Sequence, residues 1–229
     1  MLMTDGEIRT AMESGKLHMD NFSDKSLQPA SYDMRVGSRL LISNDSAEID
    51  LFQKGSAILQ PGVFALVTTH ERVRLDDTIA GHIGVKSYYT RKGVVMLTGL
   101  QIDPGFEGAL VIGLYNASPR SLTLEYLAPF CTVEFHQLAQ PVKTPFVSGD
   151  EQKEGNIPRA DKDYLRTLET QSLSEMSSSL RQLTMDVASL NQSVVSLKDS
   201  INVMQWTMGI GLTVVGIISG LSAVFAALK

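Results

Sequence analysis

The sequence predicts a mainly β domain at the N-terminal end, followed by a helical coiled coil and one transmembrane helix. Three observations carry this reading. Between Gln28 and Leu138, short apolar runs are split repeatedly by Gly, Pro, Asn and Asp. From Leu173 to Met204, apolar residues recur at heptad spacing. From Thr207 to Leu228, the chain is apolar and uncharged. The chain divides accordingly into a domain over 1–142, a linker over 143–163, a coiled coil over 164–205 and a membrane helix over 206–229.

The first element is a short helix from Thr4 to Glu13. Thr4 or Asp5 can cap it, and Ile8 and Met12 share one face. The β region follows, with runs such as Val63–Val67, Ala109–Tyr115 and Cys131–Phe135. Several short strands with frequent turn signals suggest a sandwich or barrel. Residues 143–163 are polar and contain Ser148, Gly149, Gly155 and Pro158, the composition of a linker or an extended arm.

The heptad places Leu173, Leu180, Val187, Val194 and Ile201 at one position and Met176, Leu183, Leu190, Leu197 and Met204 at the other. A narrow, strict stripe of this kind suits a coiled-coil seam. The alternative is a single amphipathic helix lying on the β domain. The final apolar run would span roughly 33 Å as a helix, against about 30 Å of hydrocarbon. Trp206 stands where an indole favours the headgroup zone. Gly216 and Gly220 form a GxxxG pair that lets helix backbones approach in lipid. The alternative here is a buried helical hairpin or a simple tail anchor.

Bulk properties narrow the function. The 229 residues carry a formal net charge of −5, which does not suit a protein that coats a nucleic-acid duplex. The one cysteine, Cys131, excludes an intrachain disulfide framework and a thiolate zinc cluster. Met1–Thr10 carries Asp5, Glu7 and Arg9 without an apolar core, so it does not read as a signal peptide. These features lead to the expectation of a single-pass inner-membrane protein with its N-terminal domain in a reducing cytosol.

Five blocks bear a family resemblance: TDGEIRTAMESGKL (Thr4–Leu17), LQPASYDMRVG (Leu27–Gly37), LQPGVFALVTTHERVRL (Leu59–Leu75), GVKSYYTRKGV (Gly84–Val94) and IDPGFEGALVIGLYN (Ile102–Asn116). In this order and spacing they resemble the dCTP deaminase/dUTPase family, over residues 4–140. The resemblance implies a distorted β-barrel or jelly roll, a homotrimer, and nucleotide sites at the subunit interfaces. It also implies that Ser87 binds phosphate oxygens, that Arg91 supplies a guanidinium fork and that Lys86 adds a point charge. Asp103 matches the aspartate with which dUTPases activate water, Gln101 precedes it, and Asp33 matches an aspartate common to the family. Asp103 also has a plainer reading, since Asp-Pro-Gly is a turn signal by itself. Magnesium would accompany the nucleotide phosphates.

Departures from the family pattern matter as much. The strand after IDPG should carry the deaminase's proton-transferring glutamate, and this chain has Gly113. An arginine usual before that block is Gln101 here. The glycine-rich arm that closes dUTPase sites is not visible. The zinc-deaminase signature is also missing. The expectation is therefore a catalytically degenerate nucleotide sensor that controls a membrane segment. This architecture resembles effectors of bacterial antiphage systems, in which a nucleotide signal controls membrane damage or a pore. The alternatives are a membrane-tethered dUTPase-like hydrolase using Asp103 and a structural oligomer with a vestigial pocket.

Overall fold

The computed structural model describes residues 1–43, 47–167, 178–198 and the single positions 200, 204, 206, 210, 214 and 216. The chain forms two compact units, Met1–Met176 and Ser177–Lys229.

The first unit opens with α1 (Asp5–Glu13). Thr4 caps it: its hydroxyl accepts from the Glu7 amide, and the Glu7 carboxylate accepts from the Thr4 amide. This reciprocal pair satisfies two of the amides that every helix start leaves without partners. Ile8 and Ala11 are the buried face. The strands follow: β1 (Leu17–Asp20), β2 (Leu27–Gln28), β3 (Ser31–Ile42) and β4 (Ile49–Asp50). A one-turn helix, α2 (Leu51–Lys54), leads to β5 (Ser56–Leu59), β6 (Phe64–Leu75) and β7 (Ile79–Val85). After α3 (Ser87–Thr90) come β8 (Val94–Met96), β9 (Gln101–Ile102), β10 (Glu107–Asn116), β11 (Leu122–Glu125) and β12 (Pro129–Gln137).

The main sheet runs β8-β10-β6-β3-β12-β7-β9, with β1 on β6 and β2 and β4 on β3; β11 and β5 form a separate pair. All pairings are antiparallel. Register breaks between Val36 and Leu40, between Ala109 and Val111 and between Pro129 and Cys131 interrupt the long ladders. Such irregularities bend strands, which lets the sheet curl over one core. Gly37 lies at the first break, where a Cβ would meet the Thr69 carbonyl oxygen at 2.6 Å. Tyr32, Met34, Ile112, Phe130 and Phe135 are among the fully buried core residues.

Among the buried polar residues described, Glu71 and Asn116 are the two with no exposure at all. Glu71 is fully buried and accepts from Arg35 twice, from Nε at 2.6 Å and from the amide at 2.8 Å. Asn116 is also fully buried; its amide donates to the carbonyls of Leu59 and Arg120, and its Oδ1 accepts from Ser118. Each is satisfied by partners distant in sequence or across a turn, as burial requires.

Residues 143–163 differ from the connector that their composition suggests, because they pack onto the domain. The Phe146 amide donates to the Pro104 carbonyl, and the buried Ser148 hydroxyl accepts from the Glu107 amide. Two short helices follow, α4 (Asp150–Lys153) and α5 (Arg159–Thr167). Ile157 and Leu165 bury themselves with Leu41 against Phe64, Leu66 and Val111. Lys162 reaches Glu48 at 2.7 Å. Gly105 and Gly108, both at positive φ, make room: a Cβ at Gly108 would stand 2.2 Å from the Gln152 carbonyl oxygen. The polar surface of the segment hides two apolar anchors, which is why composition alone reads as a linker.

In the second unit, residues 178–198 are helical. Leu180, Leu183, Val187, Leu190, Val194 and Leu197 are exposed in the single chain. Several hydroxyls bond back to the helix's own carbonyls, as Ser193 does to Ser189 and Ser200 to Ser196. The heptad residues Leu173, Met176 and Ile201 lie outside the described residues. Among the described residues, no helix is long and apolar enough to cross a membrane. Of the expected membrane segment, Trp206, Ile210, Val214 and Gly216 are described, whereas Gly220 and the rest lie outside.

Candidate functional site

The residues expected to handle a nucleotide fall into two separate places in one chain. The first is the turn after β9. Asp103 is exposed there, and Gln101 Nε2 donates to its Oδ1 at 2.7 Å. The Phe106 amide donates to the Asp103 carbonyl and closes the turn that Asp-Pro-Gly encodes. Asp103 and Gln101 stand in the wall of a cavity of about 510 Å3. Phe64, Thr98 and Phe106 contribute from the β domain, and Pro158, Asp161, Tyr164 and Leu165 close the other side from α5 and its approach.

Gly113 explains what became of the carboxylate position. It is buried on β10, and its amide donates to the Thr98 hydroxyl. A Cβ at this point would stand 3.0 Å from two carbons of the Phe64 ring and 3.2 Å from Thr98 Oγ1. Phe64 and Thr98 both line the cavity. A side chain at this position would therefore need Phe64 and Thr98 to move aside by a few tenths of an ångström. Glu107 does not replace it, because it lies at the start of β10 with its backbone engaged by Ser148.

The second place surrounds α3. Lys86 is not a free point charge: its ammonium is paired with Asp33, whose side chain is 10 % exposed. Asp33 thus anchors the segment from β3, opposite Thr132 of β12. Ser87 and Arg91 are exposed, and the Arg91 amide donates to the Ser87 carbonyl across one turn. Tyr89 is buried beneath them, and burial raises its phenol above the ordinary value. A cavity of about 1060 Å3 opens here, lined by Lys86, Arg91, Lys92 and Arg120 with one carboxylate, Glu125. Ser118 and Ser121 add hydroxyls. With Lys86 committed to Asp33, three cations, Arg91, Lys92 and Arg120, stand against one anion, a balance that suits a polyphosphate. The sequence alone does not single out Lys92 and Arg120. Their signal lies in Arg91-Lys92 and in Ser-Pro-Arg-Ser (118–121), which becomes legible only when the β10–β11 turn folds beside α3.

Neither of these two cavities holds both sets. Asp103 and Asp161 are the two carboxylates in the first cavity's wall. A magnesium ion there would take most of its oxygen ligands from phosphates and water, the usual pattern for this ion. The Cys131 thiol is fully buried, and desolvation pushes it well above its ordinary range, so it offers no nucleophile.

The β domain is thus a curled antiparallel sheet that carries a basic cavity beside α3 and a second cavity at the Asp-Pro-Gly turn. The chain belongs to the dCTP deaminase-like family, whose model matches residues 2–138. It is 37% identical over 146 residues to the dCTP deaminase of Pyrococcus abyssi, covering 64% of this chain and 90% of that one. It is 29% identical over 160 residues to a dUMP-forming dCTP deaminase of Persephonella marina, covering 64% of this chain and 89% of that one. In fold it is similar to the crystal structure of 2'-deoxycytidine 5'-triphosphate deaminase from Agrobacterium tumefaciens, with a TM-score of 0.50 and 22% identity over 59% of this chain and 47% of that chain.

Proposed function

We propose that this protein is a membrane-anchored nucleotide sensor and effector rather than a working deaminase. A nucleotide polyphosphate binds between protomers of a homotrimer. Ser87, Arg91 and the surrounding cations of one chain hold the phosphates, while Gln101 and Asp103 of the next face the base and sugar. The division of these residues between two cavities of one chain supports an interfacial site. Gly113 has no side chain to carry a proton, and Phe64 and Thr98 press close to where one would begin, which supports loss of deamination.

The observation that carries the effector reading is the wall shared by Asp103 and α5. Tyr164 and Leu165 line the same cavity as Gln101 and Asp103. A ligand entering there touches the helix from which the chain continues toward the heptad and the apolar run. Ligand contacts that differ between two α5 positions would shift their populations, and only such differential contacts can do so. The membrane segment then acts as a pore, or as an anchor that positions the sensor, at the inner membrane with the β domain in the cytoplasm. A role in antiphage defence rests on the analogy of architecture alone.

The test uses the full-length protein and a panel of deoxynucleoside and nucleoside triphosphates. Calorimetry should find at least one that binds, and Arg91→Ala should weaken it by about 1.5–3 kcal/mol, the worth of hydrogen bonds to a charged group. Tyr164→Ala should retain binding yet lose nucleotide-dependent ion flux across liposomes. No binding at millimolar concentration would remove the sensor reading. Binding without flux under any ligand would leave the anchor and remove the pore.

One observation favours a second reading, a membrane-tethered dUTPase-like hydrolase: Asp103 is exposed in a cavity and oriented by Gln101. Pyrophosphate release from dUTP with magnesium at roughly 1 per second or faster, lost in Asp103→Asn, would replace the sensor reading with this one.

A further inference from the structure

We propose that His82, Glu134 and His136 form a binding site for a divalent transition metal of the zinc class. The three residues sit on adjacent strands. Glu134 of β12 is directly opposite His82 of β7, and His136 is opposite Ala80. Directly opposed residues share a face of the sheet, as do residues two apart on one strand. All three side chains therefore leave the same face, while Ile83, Val133 and Phe135 between them turn into the core.

Their ligand atoms converge: one from each residue lies within 4.8 Å of the others. The two imidazole rings have centroids 4.8 Å apart at 55°. His136 Nε2 stands 3.8 Å from Glu134 Oε2, too far for a hydrogen bond. That nitrogen is shielded from solvent and has no hydrogen-bond partner among the described residues. A shielded ring nitrogen aimed at a carboxylate across a gap is poorly served by the protein alone, and a cation between them would satisfy both.

Metal bonds of about 2.0–2.2 Å in a tetrahedral site put neighbouring ligand atoms roughly 3.3 Å apart. The present separations, up to 4.8 Å, are wider than that, and His82 and Glu134 are exposed side chains free to turn toward the half-buried His136. Two imidazoles and one carboxylate favour zinc, cobalt or nickel over magnesium and calcium, which prefer all-oxygen sites. The ion would clamp β7 to β12. The position opposite His82 on its other side is Gln101, so the clamp would border the strand that carries the Asp103 turn.

The test uses untagged full-length protein in detergent, titrated with Zn2+ by calorimetry and with Co2+ by visible absorption. One ion per chain should bind, with the absorption of low-coordinate cobalt. Losing an outer partner of a metal site typically costs 10–100-fold in affinity, so His82→Ala and His136→Ala should each weaken binding by at least about tenfold, and Glu134→Gln should weaken it measurably. His82 and Glu134 are exposed and His136 is half-buried on the sheet surface, and circular dichroism of the metal-free variants should match wild type. His18→Ala, on a different strand beside Asp20, should bind as wild type does. Wild type that takes up no ion at micromolar concentration would overturn the proposal. So would full binding by His82→Ala, or loss of binding in His18→Ala.

Discussion

At residue 113 the backbone and its neighbours have adapted to glycine. Phe64 and Thr98 crowd the point where a side chain would begin, and the Thr98 hydroxyl is committed to the Gly113 amide. Restoring the carboxylate should therefore not restore chemistry. Gly113→Glu should destabilise the domain by about 3 kcal/mol, through overpacking and burial of a charge, and should release no ammonia from dCTP. A melting temperature equal to wild type together with measurable deamination would show that Phe64 yields easily and that the site is only one residue from activity. The Arg35–Glu71 pair shows the opposite situation, a charge that the core does hold. Glu71 is fully buried and Arg35 donates to it through both side chain and backbone. Arg35→Ala should cost about 3–5 kcal/mol, because it leaves that carboxylate buried without a counter-charge. Chemical denaturation of the two proteins side by side measures it.

At the scale of elements, the segment from Phe146 to Leu165 decides how the Asp103 cavity is closed. It is held by Ile157 and Leu165, by Ser148 under the Glu107 amide and by Lys162 on Glu48. Its seat depends on Gly108, where φ is +139° and any Cβ would strike the Gln152 carbonyl. Gly108→Ala should therefore lift α4 and loosen α5 while leaving the β core folded. Hydrogen exchange should accelerate in residues 148–165 and remain slow in β3, β6 and β12. Uniform acceleration across the sheet would show that the segment is part of the cooperative core rather than a separately docked element.

The whole molecule presents surfaces that one chain does not cover. The heptad leucines and valines of residues 178–198 are exposed, and Arg91 lines one cavity while Gln101 and Asp103 line another, the two halves of the proposed nucleotide site. Both features call for copies of the chain. The family resemblance implies a trimer, whereas valine and isoleucine at one heptad position with leucine at the other follow the dimer rule. The β domain should prevail, since its interface would be larger than a short seam. Mass photometry in detergent should therefore give three chains per particle. A monomer would remove the interfacial site altogether; a dimer or tetramer would remove only the threefold arrangement.

Much of the fold was legible in the sequence because its signals are local. Thr4 and Glu7 announce the helix start, alternation announces the strands, and Asp-Pro-Gly announces the turn at Asp103. The order of the five motif blocks carried the family. The tertiary structure decided what depends on distant partners. Ile157 and Leu165 are isolated apolar residues in a polar stretch, with no periodicity to mark them, and only the face formed by Leu41, Phe64 and Val111 gives them a place. Lys86 reads as a phosphate ligand until Asp33 of a remote strand pairs with it. Arg120 acquires meaning when a hairpin turn comes to rest beside α3. His82, Glu134 and His136 become a cluster through strand register alone. An apolar pattern states which face of an element is buried but not what covers it; that choice is made by contacts between residues far apart in the chain, which no local signal encodes.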